Sequence, residues 1–169
     1  MTCPSAVTII EAPDCFVVED RPNSPGQLAY AGKLQLFGGH ANPPEEDPLH
    51  IITRELDEEI IGLSLEAPPL LVWSGDTPSQ NRDGQPVTRF TSLFYVATAS
   101  AVQLTLNVRN TQGKIVRIPK TLVDIGAHED RLTPFAFNAL SGVVQYKANG
   151  GVVPAAASEV SLPDFIAAY

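Results

Sequence analysis

Glu55, Glu58 and Glu59 stand three and four residues apart in the run Arg54-Glu55-Leu56-Asp57-Glu58-Glu59. If that run is helical, a rotation of about 100° per residue sets Glu55 and Glu59 one above the other with Glu58 beside them, while Leu56 points elsewhere. Three carboxylates then share one patch. Like charges at these spacings weaken a helix by about 0.2–0.5 kcal/mol per pair, and Arg54, four residues before Glu58, is the local cation that offsets them. Acidic groups near a helix C-terminus also oppose the macrodipole, so a merely solvated acidic face is the less comfortable reading. A hard divalent cation, Mg²⁺ or Mn²⁺, answers both costs. It takes oxygen ligands, keeps several waters and is commonly shared with substrate phosphates.

The flanking sequence supplies the elements that would position this patch. Asp47-Pro48 is a helix start: Asp accepts from orphan N–H groups and Pro fits the first helical position. The helix is expected from about Pro48 to Ile61, with Leu49, Ile52, Leu56, Ile60 and Leu63 on its core side and Gly62 ending it. Upstream, Lys33 to Phe37 alternates as a strand and runs into Gly38-Gly39, a turn whose backbone can approach a metal or phosphates closely. Glu45 and Glu46 lie in the proline-rich loop between the two.

Elsewhere, Ala6 to Ile10 and Cys15 to Val18 read as strands around Ala12-Pro13-Asp14, followed by a loop from Arg21 to Gly26. Pro68 to Trp73 and Thr88 to Ala99 are strand candidates, and the polar stretch Ser74 to Val87 between them reads as a long loop. Val102 to Val108 and Lys114 to Ile118 add strands. Thr133-Pro134 opens a second helix through Leu140 that Gly142 is expected to stop. The tail from Ala155 is weakly patterned. The coarse picture is α+β, one domain over residues 1–169, a mixed sheet with two helices.

Composition bounds the chemistry further. The chain has 169 residues, 44% apolar, with 11 basic against 19 acidic residues and a net charge of −8. That is enough apolar matter to bury a core, and too little clustered positive charge for a nucleic-acid binder. A polyphosphate must arrive with cations. No stretch is apolar for long enough to span a membrane, and Met1-Thr2-Cys3-Pro4 lacks the features of a signal peptide, so a cytosolic address is the default expectation. Cys3 and Cys15 are too few for a disulfide framework, and Cys15 reads as a buried strand residue.

The series Gly39, Glu45 or Glu46, Arg54-Glu55, Glu58-Glu59 and Gly62-Leu63 resembles the Nudix box, G-x5-E-x7-R-E-U-x-E-E-x-G-U, in its strand–loop–helix context over residues 39–63. Two departures are visible. Five residues separate Gly39 from Glu45 whereas seven separate Glu46 from Arg54, and Gly62 comes one residue late. The internal spacing of Arg54, Glu55, Glu58 and Glu59 is untouched, and helix register favours Glu46 over Glu45. Leu132-Thr133-Pro134-Phe135 with Ala139-Leu140 is weakly similar to the family's terminal helix.

The resemblance implies an α/β/α sandwich, a mixed sheet flanked by helices. It also implies hydrolysis of a nucleoside diphosphate linked to another moiety, with Mg²⁺ or Mn²⁺ on Glu55, Glu58 and Glu59. Glu55 would take a proton from the attacking water, Arg54 would hold the glutamates, and Gly38 and Gly39 would lie against the cofactor. Glu129, in His128-Glu129-Asp130, is a second candidate base. His40, Trp73, Phe94, Tyr95, Arg82 and Arg89 are weaker candidates, with loop, core or surface roles as their plain alternatives. The expected partner is a small nucleotide derivative, with no nucleic acid and no membrane, and a homodimer would be ordinary. The competing class is a Nudix-like module that binds such a ligand without turnover. Isoprenoid diphosphate isomerases of the same architecture need a cysteine and histidines that Cys3 and Cys15 do not supply.

Overall fold

The computed structural model describes residues 4–22, 30–44, 46–81, 83–107 and 113–153. Continuous apolar runs near the start form strands buried on both sides. In β1 (Ser5–Glu11) and β2 (Cys15–Asp20), Ile9, Phe16 and Val18 face one core while Ala6, Ile10, Cys15 and Val17 face another. Alternation along a strand does this without any change of pattern, because successive side chains point to opposite faces.

The seven-stranded sheet adds β3 (Leu34–Gln35), β4 (Phe37–His40), β6 (Leu70–Gln80), β7 (Pro86–Ala97) and β9 (Lys114–Pro119) to these two. Its backbone order is β3-β2-β1-β7-β6, with β4 on β1 and β9 on β2. Only β1 and β7 run parallel, so the sheet is mixed as expected. A small second sheet pairs β5 (Ile60–Ile61) with β8 (Thr105–Leu106).

One face is covered by α1 (Pro48–Glu59), which buries Ile51, Ile52 and Leu56 against it. The other is covered by α2 (Leu122–Gly126) and α3 (Pro134–Ala148), through Ile125, Ala136, Ala139, Leu140 and Val143. The result is the α/β/α sandwich. No helix among the described residues is long and apolar enough to cross a membrane.

Several local expectations are corrected. Ser74 to Val87 is no loop: its polar residues continue the β6–β7 hairpin, paired from Leu70↔Tyr95 to Gln80↔Pro86, because the strands outrun the core and turn polar where they reach solvent. Gly142 does not stop α3, which continues to Ala148, since its missing side chain lets the buried helix face pack closely. Helix α1 ends at Glu59, where Ile60 takes extended geometry to pair with Leu106, and Gly62 makes the turn beyond it at φ +84°. Leu49 is 44% exposed and outside the core. Between Val102 and Asn107 only Thr105 and Leu106 are strand, and Val108 lies outside the described residues. Helix α2, five residues long, carries no periodic signal long enough to read.

Candidate active site

Helix α1 begins where expected. The Asp47 side chain accepts from the Leu49 amide at 2.9 Å, and Pro48 occupies the first turn. The helix projects Arg54 into the centre of a carboxylate cluster. Arg54 Nε donates to Glu46 Oε1 at 3.2 Å and Nη2 to Glu46 Oε2 at 3.2 Å, while Nη1 donates to Glu55 Oε1 at 2.9 Å and to Glu58 Oε2 at 3.5 Å. Nη2 also reaches the His40 carbonyl at 3.2 Å. One guanidinium fork thus ties the helix to the β4 terminus and the loop.

Glu46 is buried, and the Arg54 guanidinium and the Asn42 amide, at 2.7 Å, hold its carboxyl below the ordinary value. It acts as the anchor of Arg54. Glu45, the other upstream candidate, lies outside the described residues.

Gly38 and Gly39 form no turn: they lie within β4, paired with Val7 and Ala6 of β1, and Glu55 lies over Gly39. A side chain on Gly39 would run into the Glu55 carboxylate, and one on Gly38, whose φ is +149°, would run into the Ala6 carbonyl. Both glycines are therefore set by close approach, Gly38 to β1 and Gly39 to Glu55. Burial raises the Glu55 carboxyl, Arg54 opposes that, and Glu58 and Glu46 add to it.

Glu59 is pushed up to about 8 by burial and by the neighbouring carboxylates of Glu19, Glu55 and Glu58, against a partial attraction from Arg21. Glu19 is the residue that sequence reasoning missed. It sits on β2, only 2% exposed, accepts from Gln35 Nε2 at 2.8 Å and lies 3.7 Å from Arg21. Its one legible signal was an acidic residue ending the apolar run Phe16-Val17-Val18.

Glu129 is exposed in the turn after α2 and is not among the residues lining the cleft beside Gly38 and Gly39. Trp73 packs on Phe135 with ring centroids 5.9 Å apart and Phe94 is buried, which are core roles. Tyr95 is bound to Glu11 at 2.9 Å. Arg82 lies outside the described residues. His40 and Arg89 line a cleft that opens beside Gly38 and Gly39.

Among the described residues no three His, Cys, Asp or Glu side chains stand together as a finished metal cage. The donor chemistry nonetheless fits a hard cation. Glu55 and Glu59 are partly buried oxygen donors whose charges act on one another, and a divalent ion with several waters needs only one or two protein carboxylates.

No family model matches the chain, and no curated protein matches it. Solved structures do. A Nudix-family hydrolase from Clostridium perfringens superposes with a TM-score of 0.61 at 14% identity, over 87% of this chain and 99% of the other. The chain has the Nudix fold. A bifunctional NMN adenylyltransferase/ADP ribose pyrophosphatase from Francisella tularensis, solved with AMP and Mn, gives a TM-score of 0.58 at 17% identity, over 86% of this chain and 42% of that larger one. The Nudix domain of Shewanella oneidensis NrtR, solved with ADP ribose, gives 0.58 at 15% identity, over 88% of each chain.

Proposed function

We propose that the chain is a divalent-metal-dependent hydrolase that cleaves the pyrophosphate bond of a nucleoside diphosphate linked to another moiety. The observation that carries this reading is the arrangement around Arg54, where one guanidinium aligns Glu46, Glu55 and Glu58 beside the partly buried Glu59. The solved neighbours that hold AMP with Mn, or ADP ribose, support the same ligand class.

Glu55 and Glu59, with Glu58, are the residues that would hold Mg²⁺ or Mn²⁺. When bound, such an ion neutralises phosphate oxygens and makes a nearby water easier to deprotonate. Glu55, kept above its ordinary value by burial, can accept that water proton. Arg54 fixes the Glu55 rotamer and takes its own position from Glu46. Gly39 leaves the space in which the Glu55 carboxylate lies. Glu129 is the second candidate for proton removal.

The test is a screen of nucleoside diphosphate derivatives, ADP ribose among them, with Mg²⁺ and with Mn²⁺, read as released phosphate after phosphatase coupling. On the substrate found, Glu55→Gln and Glu59→Gln are expected to lower turnover about 10²-fold or more with the circular dichroism spectrum unchanged. Near-full activity in Glu59→Gln defeats the assignment. Glu129→Gln discriminates between the two bases, since a bystander leaves turnover unchanged. Ligand binding by calorimetry with no phosphate release under any metal condition would instead favour the binding module.

A further inference from the structure

The cleft beside Gly38 and Gly39 of β4 takes its floor from three further strands. Ser5 of β1, Thr91 of β7 and Thr77 of β6 form a row of hydroxyls across its floor, with Oγ–Oγ1 2.9 Å from Ser5 to Thr91 and 2.7 Å from Thr91 to Thr77. Leu93, Thr91 and Arg89 succeed one another on one face of β7, so the strand passes from core to hydroxyl to cation as it leaves the sandwich. The walls mix polar side chains, Gln35, Gln80 and Arg21, with apolar and aromatic ones, Tyr30, Leu36 and Phe135.

Within this cleft Arg89 is unsatisfied. Its Nε is buried with no hydrogen-bond partner, and Nη2 has only a 3.5 Å contact with the Gln80 carbonyl. Among the described residues it makes no ion pair, whereas Arg21 has Glu19 at 3.7 Å. A guanidinium partly removed from water and left without an acceptor costs free energy that a bound oxyanion would return. His40, at the cleft rim, records the same field. Partial desolvation together with the Arg89 and Arg21 charges holds its imidazole below the ordinary value.

We infer that Arg89 is a substrate-binding residue whose Nε and Nη groups take a phosphate of the substrate in the cleft lined by Gly38 and Gly39, next to the α1 carboxylates. The inference deepens the hydrolase reading and rests on it. It divides the substrate's charge in two: the α1 carboxylates meet phosphate oxygens through cations, and Arg89 meets them directly with a planar fork that suits an oxyanion. The hydroxyl floor and Arg89 suit a phosphate or a phosphorylated sugar, and Tyr30 and Phe135 offer aromatic surface to the rest of the ligand.

The experiment reads binding without turnover, so that it does not depend on the metal site. AMP, inorganic pyrophosphate and adenosine are titrated into metal-free protein in EDTA and followed by calorimetry. Wild-type protein is expected to bind AMP and pyrophosphate and to prefer AMP to adenosine. Arg89→Gln is expected to weaken both anions at least about tenfold and leave adenosine unchanged, with Arg89→Lys restoring part of the loss. The melting temperature of Arg89→Gln should be no lower than wild type, because its removal gives up only the 3.5 Å contact with the Gln80 carbonyl and relieves a buried unpartnered Nε. Equal anion binding by wild type and Arg89→Gln overturns the inference. So do wild-type protein that binds neither anion at millimolar concentration and wild-type protein that binds adenosine as well as AMP. Loss of turnover in Glu55→Gln with unchanged Arg89→Gln binding would sink the Arg89 assignment and spare the hydrolase. The reverse pattern would spare Arg89 as an anion receptor and sink the hydrolase.

Discussion

Gly39 has no side chain because the Glu55 carboxylate occupies the space of one. Gly39→Ala is therefore expected to keep the fold, since the far end of Glu55 can swing aside, and to reduce turnover on an established substrate. Gly38→Ala is a different case: at φ +149° and against the Ala6 carbonyl, it should cost about 1–3 kcal/mol, read as a lower melting temperature. Glu59 presents the opposite sign. Its raised carboxyl means that the folded state without metal binds more protons than the unfolded chain between pH 4.5 and about 8, so stability falls as pH rises through that window. Glu59→Gln should thus raise the melting temperature of the metal-free protein at pH 8, by on the order of 2 kcal/mol in stability, while removing the further rise that Mg²⁺ gives wild type. A metal-free Glu59→Gln melting point at or below wild type would contradict the repulsion on which this rests.

At the scale of elements, α1 is held by its two ends. Asp47 caps the N-terminus, and the Glu59 carbonyl accepts from the Asn107 amide at 2.8 Å just where Ile60 enters the small β5–β8 sheet. Asp47→Ala is expected to cost about 1 kcal/mol by chemical denaturation, with no change in the slope of the transition. The same helix shows how far local sequence reaches. Asp47-Pro48, the apolar spacing of Ile52 and Leu56 and the offset of Arg54 from Glu58 are interactions within one or two turns, and each was legible. The end at Glu59 was not, because Ile60 and Ile61 suit helix or strand equally, and their pairing with Leu106 and Thr105, more than forty positions along the chain, decided between them. The β6–β7 hairpin escaped for a related reason. Polar residues between two apolar runs look like a loop, and only cross-strand pairing distinguishes a solvent-reaching hairpin from one.

At the scale of the molecule, Glu11 ties the sandwich together at one end of β1. It receives Lys147 of α3 at 2.7 Å, Lys120 beyond β9 at 2.9 Å and Tyr95 of β7 at 2.9 Å. Burial raises the Glu11 carboxyl, but these donors outweigh it, and the group ends below its ordinary value of 4.5. Between that folded value and 4.5 the unfolded chain binds more protons, so the contribution is fully present above pH 4.5 and is lost as pH falls through the folded value. Glu11→Gln should lower stability at neutral pH and flatten the acid limb of an unfolding titration followed by circular dichroism. An unaltered acid limb would mean that the network adds nothing. Net charge acts at the same scale: at −8 the molecule repels a polyanion, so the proposed function requires bound cations, and Arg89 as proposed, to offset that charge at the site.

The sequence alone determined the two-sided core strands, the capped helix and the common face of Arg54, Glu55, Glu58 and Glu59, because each depends on neighbours a few positions apart and on a fixed period. Only the tertiary structure brought Glu19 from β2 against Glu59, assigned Glu46 to Arg54, and left Arg89 over a row of hydroxyls drawn from three strands. Those arrangements join residues from separate elements. Burial and charge at such points are properties of the packed sandwich, and no local spacing encodes them.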